Sequence, residues 1–460
     1  TKYTIKVSAV NVINAGPVSS SDFTPQPPAG EPYVPPTPPA PPTNTVPVTV
    51  GGESKPVATT ETTETPQGTT QTTITTTEDL TKAIQDSTTT GTTVSLTFTK
   101  PATTYTGVLT ASTVKAMEEK EAVLEVKTET ATYTLPAQEV NIQQVSQQIG
   151  TSVPLEEIKI SVTISEPPAD TVKVVQDTAN ANNFTLVVQP VQFQVTATYE
   201  DQVVQVSKFT GYVERTIAIP DGVDPAKVTT AVVLNEDGSF THVPTTIVML
   251  NGKYFAKINS LTNSTYTVIY NDVTFADTTG HWAEAVIHDM GSRLIVSGVG
   301  NSKYEPNRQI TRAEFSTILV RALGLREGTA NSKFPDVTNH QWYSGYVQTA
   351  VEYGLITGYQ NGNFGPNDAI TREQAMTMIA RAMKLTKLNT AFASEEVLTI
   401  LGQYADGVDV SDYAKLAITA CVKHDIVSGR TLNTLAPKEF LTRAEVAVIV
   451  QRLLKSSNLI

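Results

Sequence analysis

Three hexapeptides constrain this chain more than any other feature: "ITRAEF" at Ile310–Phe315, "ITREQA" at Ile370–Ala375 and "LTRAEV" at Leu441–Val446. Each begins its Thr-Arg pair 29 residues after an aromatic residue, Trp282, Trp342 and Tyr413 in turn. Gly298, Gly358 and Gly429 follow that aromatic by 16 positions, Pro306, Pro366 and Pro437 by 24, and Arg321, Arg381 and Arg452 by 39. A spacing held this closely in three copies means three similar supersecondary units that pack on one another. Each unit reads as helix, loop, helix. The second helix carries an apolar stripe in every copy, such as Phe315, Ile318, Leu319, Ala322 and Leu323, so one face of it is buried.

The hexapeptide is a helix start. Thr311 with Glu314, Thr371 with Gln374 and Thr442 with Glu445 form capping boxes, and Ile310, Ile370 and Leu441 meet Phe315, Ala375 and Val446 as hydrophobic staples. Arg312, Arg372 and Arg443 are left over. They occupy the first helical position, where the macrodipole disfavours a cation, and read as exposed first-turn residues. Two uses are open from the residues alone. A helix N-terminus plus a guanidinium can hold a carboxylate or phosphate, or each arginine can pair with a carboxylate of a neighbouring copy such as Asp277, Asp336 or Asp406.

The stretch "FADTTGHWAEAVIHDM…LIVSGVGNSKYEPNRQITRAEFSTILVRALGL" resembles an S-layer homology motif, and the resemblance extends over the three copies, 273–325, 333–385 and 403–456. It implies an all-α, pseudo-threefold domain over 273–460 that anchors an exported protein to the wall of a Gram-positive cell. The implied partner is an anionic secondary cell-wall polysaccharide bearing a pyruvylated amino sugar, bound in grooves between motifs. The implied carbohydrate-binding residues are Asp277, Trp282, Gly298 and Arg312; Asp336, Trp342, Gly358 and Arg372; and Asp406, Tyr413, Gly429 and Arg443. The third copy departs from the pattern at Tyr413, Tyr404 and "GRTLNTLAPK", so its groove is expected to be the weakest, with Arg372 and Arg312 ranking above Arg443 in binding.

Upstream, "YTIKVSAVNVINAGPVSSSDFT" resembles the closing strands of a fibronectin type III domain, which assigns residues 1–24 and implies that the chain begins inside a domain. Eleven prolines between Pro25 and Pro47 and the Thr-rich tract after them read as an extended linker over 25–77. Residues 78–272 alternate with period two, as in "VQFQVTATY", and carry hairpin signals at Asp237-Gly238 and Asn251-Gly252. They read as one or two β-sandwich modules with a short helix at Ser112 to Lys120. The region just upstream of the motifs, including "YVERTIAIPDGVDPAKVTTAVVL" and "INSLTNSTYTVIYND", is reminiscent of β-rich segments preceding them in S-layer and surface proteins of Paenibacillus-type bacteria, a likeness that assigns no activity. The fold class expected is thus multidomain: sandwich modules, then a helical trimer.

Charge and chemistry narrow the function. The net charge of -12 disfavours nucleic acid, and the acidity lies upstream: residues 271–460 hold 18 Lys/Arg against 19 Asp/Glu. No apolar run is long enough to enter a membrane. Cys421 is the only cysteine and sits in a helical apolar pattern, a buried thiol. The five histidines lack metal-ligand spacing, "DGVDVSD" breaks the calcium-loop order, and Glu118, Glu119 and Glu121 read as a solvated face. The expectation is a non-enzymatic wall anchor without cofactor. Two alternatives remain: the attachment region of a polysaccharide-degrading enzyme whose catalytic domain lies upstream, and a self-assembling S-layer subunit.

Overall fold

The computed structural model describes residues 44–65, 69–329, 332–431 and 433–460. The fibronectin-like assignment of 1–24 and the proline run up to residue 42 lie outside the described residues.

Among the described residues sheet structure begins at Thr45, which corrects the linker expected through residue 77. Thr45–Val50 and Glu53–Glu64 form an antiparallel hairpin around Gly51 and Gly52, both at positive φ. Thr70–Thr76 pairs with the second of these strands. Threonine-rich composition reads as too polar to fold, yet threonine is β-branched and suits a half-buried pleat. Here Val48, Val50 and Ile74 are buried, with Thr72 and Thr76 beside them.

From there the strands run in two directions of pairing. One series is Glu53–Glu64, Thr70–Thr76, Thr104–Thr110, Lys159–Ser165, Val191–Tyr199, Thr265–Tyr270, Thr230–Leu234 and Phe240–Val243. The other is Thr45–Val50, Thr93–Thr97, Val123–Lys127, Ala131–Pro136, Lys208–Ala218, Lys253–Thr262 and Thr245–Leu250. The hairpin at Gly51 joins them, and one apolar core includes residues from both series. The region is therefore a large mixed sheet rather than purely antiparallel sandwich modules. Two pairs are parallel, Thr70–Thr76 with Thr104–Thr110 and Thr93–Thr97 with Val123–Lys127. Parallel pairing needs a crossover, and helices Glu78–Gln85 and Ala111–Glu119 lie in those connections. The second is the helix expected at Ser112 to Lys120. Helices Ile142–Ile149 and Ala169–Ala181 are additional; Ile142, Val145 and Ile149 bury one face of the former.

The helical region keeps the threefold plan. The first helices are Glu284–Ser292, Ser344–Glu352 and Lys415–Lys423, and the second are Arg312–Ala322, Arg372–Leu385 and Arg443–Ser456. All three capping boxes form, including the Gln374 version. The staple residues meet in a closed backbone ring: Ile310 N–H donates to Leu441 O, Leu441 N–H to Ile370 O and Ile370 N–H to Ile310 O, at 3.0, 3.1 and 3.2 Å. Their side chains are fully buried in the common core, as is Cys421. An additional helix, Ser394–Leu401, lies between the second and third motifs.

Sheet and helices are docked. Tyr212 Oη donates to Leu323 O at 2.8 Å, Arg326 Nη2 to Ser264 Oγ at 2.9 Å and Asn271 Nδ2 to Ser292 O at 2.8 Å. Gly324, at φ +67, lies so close to the strand that a Cβ would stand 2.7 Å from Pro244.

Candidate functional site

The helix N-termini are closed to ligand. Arg312 N–H donates to Asp368 O and Ala313 N–H to Pro366 O, both carbonyls of the next motif's loop. Arg372 and Glu373 do the same to Glu439 and Pro437, and Arg443 and Ala444 to Arg308 and Pro306. The recurring proline carbonyl thus completes a neighbour's first turn. An anion expected at these amides would find them already bonded.

The hexapeptide arginines are not exposed either. Arg312, Arg372 and Arg443 are 5, 4 and 4 % accessible. Their Nε atoms donate at 2.8 Å to Phe364 O, Leu435 O and Tyr304 O, again in the adjoining motif. Arg372 also reaches Glu445 at 3.2 Å and Arg443 reaches Glu314 at 3.0 Å. The internal ion pair therefore exists for two of the three, but its partner is the capping-box glutamate rather than Asp277, Asp336 or Asp406. Aromatic rings lie over the guanidinium of Arg312 (Tyr359 and Phe364, 4.5 and 4.9 Å) and of Arg443 (Tyr304, 4.4 Å). Burial pulls the pKa of Arg312 and Arg372 down, although both remain cations. Burial pushes the Glu314 carboxyl up, but hydrogen bonds from Arg308 and the Thr311 amide, with the Arg443 charge, leave it below its ordinary value.

The aspartates shape the loops. Asp277 accepts from the Tyr304 and Glu305 amides, Asp336 from Phe364 and Gly365, and Asp406 from Leu435 and Ala436, all at 2.7–2.8 Å. Those carbonyl-bearing segments are the ones that receive the arginines. The glycines let the loop close. A Cβ on Gly298 would lie 2.7 Å from Lys303 O, one on Gly358 2.4 Å from Phe334 and one on Gly429 2.3 Å from Thr431 O.

The aromatics do face solvent, with Trp282 66 %, Trp342 57 % and Tyr413 57 % accessible. Each stands across a groove assembled from three motifs. Groove 1 is a cavity of about 270 Å³ lined by Ser297, Gly298 and Arg321 of the first motif, Trp342 of the second and Arg443 of the third. Groove 3 is a cavity of about 550 Å³ lined by Ser428, Gly429 and Arg452 of the third motif, Trp282 of the first and Arg372 of the second. The corresponding positions of groove 2 are Thr357, Gly358 and Arg381 with Tyr413 and Arg312. Ranking motifs one by one therefore fails. Tyr413 of the divergent third motif belongs to groove 2, while the third motif's own loop faces Trp282 in the larger cavity. In groove 2 the Arg312 guanidinium is covered by Tyr359, whose counterparts are Val299 and Arg430.

The groove cations that the hexapeptide reading passes over are Arg321, Arg381 and Arg452. Each is half-buried at the far end of the second helix. Arg321 donates to Tyr346 Oη and Ser297 Oγ, Arg381 to Thr357 Oγ1 and Arg452 to Ser428 Oγ, at 3.1–3.5 Å. Among the described residues no carboxylate lies at ion-pair distance from any of them. Their fixed spacing was visible in the sequence. That spacing does not mark them as unusual, because a cation near a helix C-terminus is what the dipole favours anyway.

A family model described as "S-layer homology domain" matches residues 274–316, 333–376 and 403–447. The chain is 37 % identical over 198 residues to an exoglucanase, XynX, of Acetivibrio thermocellus, covering 43 % of this chain and 18 % of the relative. It is 34 % identical over 253 residues to an amylopullulanase of Thermoanaerobacterium thermosulfurigenes, covering 54 % of this chain and 13 % of that one. That alignment is longer than the whole helical region, so it takes in part of the mixed sheet. A surface layer protein of Brevibacillus choshinensis matches at 32 % over 137 residues, 27 % of this chain and 12 % of the relative. The chain spans less than a fifth of the length of each of these relatives. Among the described residues no helix is long and apolar enough to cross a membrane. Three stretches of the chain are thus S-layer homology domains, which place it at the cell surface.

Proposed function

We propose that this chain is a non-catalytic anchor whose grooves bind the pyruvylated amino sugar of an anionic secondary cell-wall polysaccharide. The observation that carries this reading is the pairing, across grooves 1 and 3, of an exposed indole with a guanidinium that no carboxylate reaches at ion-pair distance among the described residues. The pyruvyl carboxylate is met by Arg321 or Arg452 through charge-assisted hydrogen bonds, and the sugar face rests on Trp342 or Trp282. Arg443 and Arg372 sit beneath, holding the loops. Calorimetric titration of the chain with a pyruvylated disaccharide tests this. Binding at two sites that vanishes when the pyruvyl group is removed supports it; equal affinity for the depyruvylated sugar overturns it.

A second reading, the attachment region of a larger wall-bound enzyme, is favoured by the small share of the exoglucanase and amylopullulanase that this chain covers. A lattice-forming subunit is favoured by the match to the surface layer protein. Two-dimensional sheets grown from the full protein would separate these.

A further inference from the structure

Groove 1 does not end at the helical region. A second cavity of about 460 Å³ lies where the mixed sheet docks on the first motif, and it shares Ser297, Gly298 and Arg321 with groove 1. Its opposite wall comes from the sheet: Phe184 and Phe240 stack at 6.3 Å and 21°, half-buried, with Asn182 and His242 also in the lining. His242 is buried and its Nδ1 lies 3.0 Å from Thr230 Oγ1, while its Nε2 has no hydrogen-bond partner. Burial, then the nearby Arg293 charge, holds the imidazole far below its ordinary pKa, so this part of the wall carries no charge. The docking bonds from Tyr212, Arg326 and Asn271 fix this wall against the first motif.

Apolar rings, a neutral imidazole and amides make a lining suited to an uncharged sugar ring, and the volume is within the range of small-molecule sites, about 300–1,000 Å³. Arg321 stands at the junction. We propose that the cleft is a second carbohydrate subsite, which receives the uncharged pyranose next to the pyruvylated ring held in groove 1. This rests on the groove reading above. It makes the sheet part of the binding surface, and it makes groove 1 unlike groove 3, whose lining draws only on the three motifs.

The chain has two tryptophans, one in each open groove. In a Trp282→Phe background, Trp342 emission reports groove 1 alone. The full chain is titrated with a pyruvylated amino-sugar monosaccharide and with a trisaccharide ending in it. The trisaccharide is expected to bind about tenfold more tightly, the scale of one aromatic contact. Phe184→Leu with Phe240→Leu should erase that advantage and leave the monosaccharide affinity within about twofold. If that variant does not fold, Asn182→Tyr, at the exposed rim, should block the cleft with the same result and leave Trp342 the only tryptophan. Equal affinity of the two ligands in the parent, or an advantage that survives a folded variant, overturns the subsite. No emission change with either ligand overturns the groove reading and the subsite together.

Discussion

In the mixed sheet Arg215 is fully buried, with Tyr133, Phe193, Tyr266 and Phe209 around its guanidinium at 4.7–6.0 Å. It donates to Val213 O, Thr262 O and Asn263 Oδ1 at 2.8–2.9 Å, and its Nε has no partner. In the helical region Arg312, Arg372 and Arg443 are almost as deep and also donate mainly to carbonyls. The difference is where the bonds lead. Arg215 ties together strands of one core, whereas each helical arginine crosses from one motif into the next. A buried guanidinium is a pin in both places; repeated three times around an axis, it becomes the joint of an assembly. Repetition in a sequence can therefore mark an internal contact as readily as a ligand site.

The largest effect should come from breaking the single pin. Arg215→Ala removes a buried cation and orphans several buried acceptors, an expected loss of about 3–5 kcal/mol of stability in denaturant melts. Arg443→Ala and Arg372→Ala should each lose about 2–4 kcal/mol, because the loop carbonyls that each buried guanidinium serves lose their donor. A melt within about 1 kcal/mol of the parent would return these arginines to the status of exposed ligand-binders. By contrast Arg452→Gln and Arg321→Gln should leave stability within about 0.5 kcal/mol. They should weaken binding to the pyruvylated sugar roughly tenfold to a hundredfold. Unchanged affinity would remove both from the site.

The smallest effect is in pH. The pKa values of Glu314, Glu373 and Asp277 lie below their ordinary values; burial alone would raise each, and hydrogen bonds with nearby cations outweigh it. A depressed carboxyl stabilises the fold fully above its unfolded pKa, 4.5 for the glutamates and 3.8 for the aspartate, and that stability is lost as pH falls through the folded value. Melting temperature should thus hold steady above about pH 5 and drop below the carboxylate range. Glu314→Gln should flatten that drop; an unaltered acid profile would show that Glu314 does not couple to folding.

The helical region was legible because its signals are local and repeated. Thr311, Glu314 and Ile310 specify a helix start within six residues, and the 29-residue spacing returns it three times. The grooves were not legible, because each is completed by side chains from three motifs and no spacing within one motif encodes that. Trp282 faces Arg452, 170 positions away. The hexapeptide arginines were visible as an anomaly, but their burial follows from the neighbouring loop, which Asp277, Asp336 and Asp406 fold from a distance. In the sheet, the Thr-rich run at residues 72–76 reads as polar linker by composition, although threonine's β-branched methyl suits a half-buried strand. The hairpin at Gly51-Gly52 was the signal that could have corrected it.

The ring formed by Ile310, Ile370 and Leu441 has a bearing on how many motifs such a region can contain. Each residue gives one backbone hydrogen bond to a neighbour and takes one from the other, so the circuit closes at three. Two motifs would leave a donor and an acceptor stranded in the apolar centre, and a fourth would find no vacancy. Copy number is then a property of the axis rather than of the ligand: a groove can change its lining while the motif that frames it must stay.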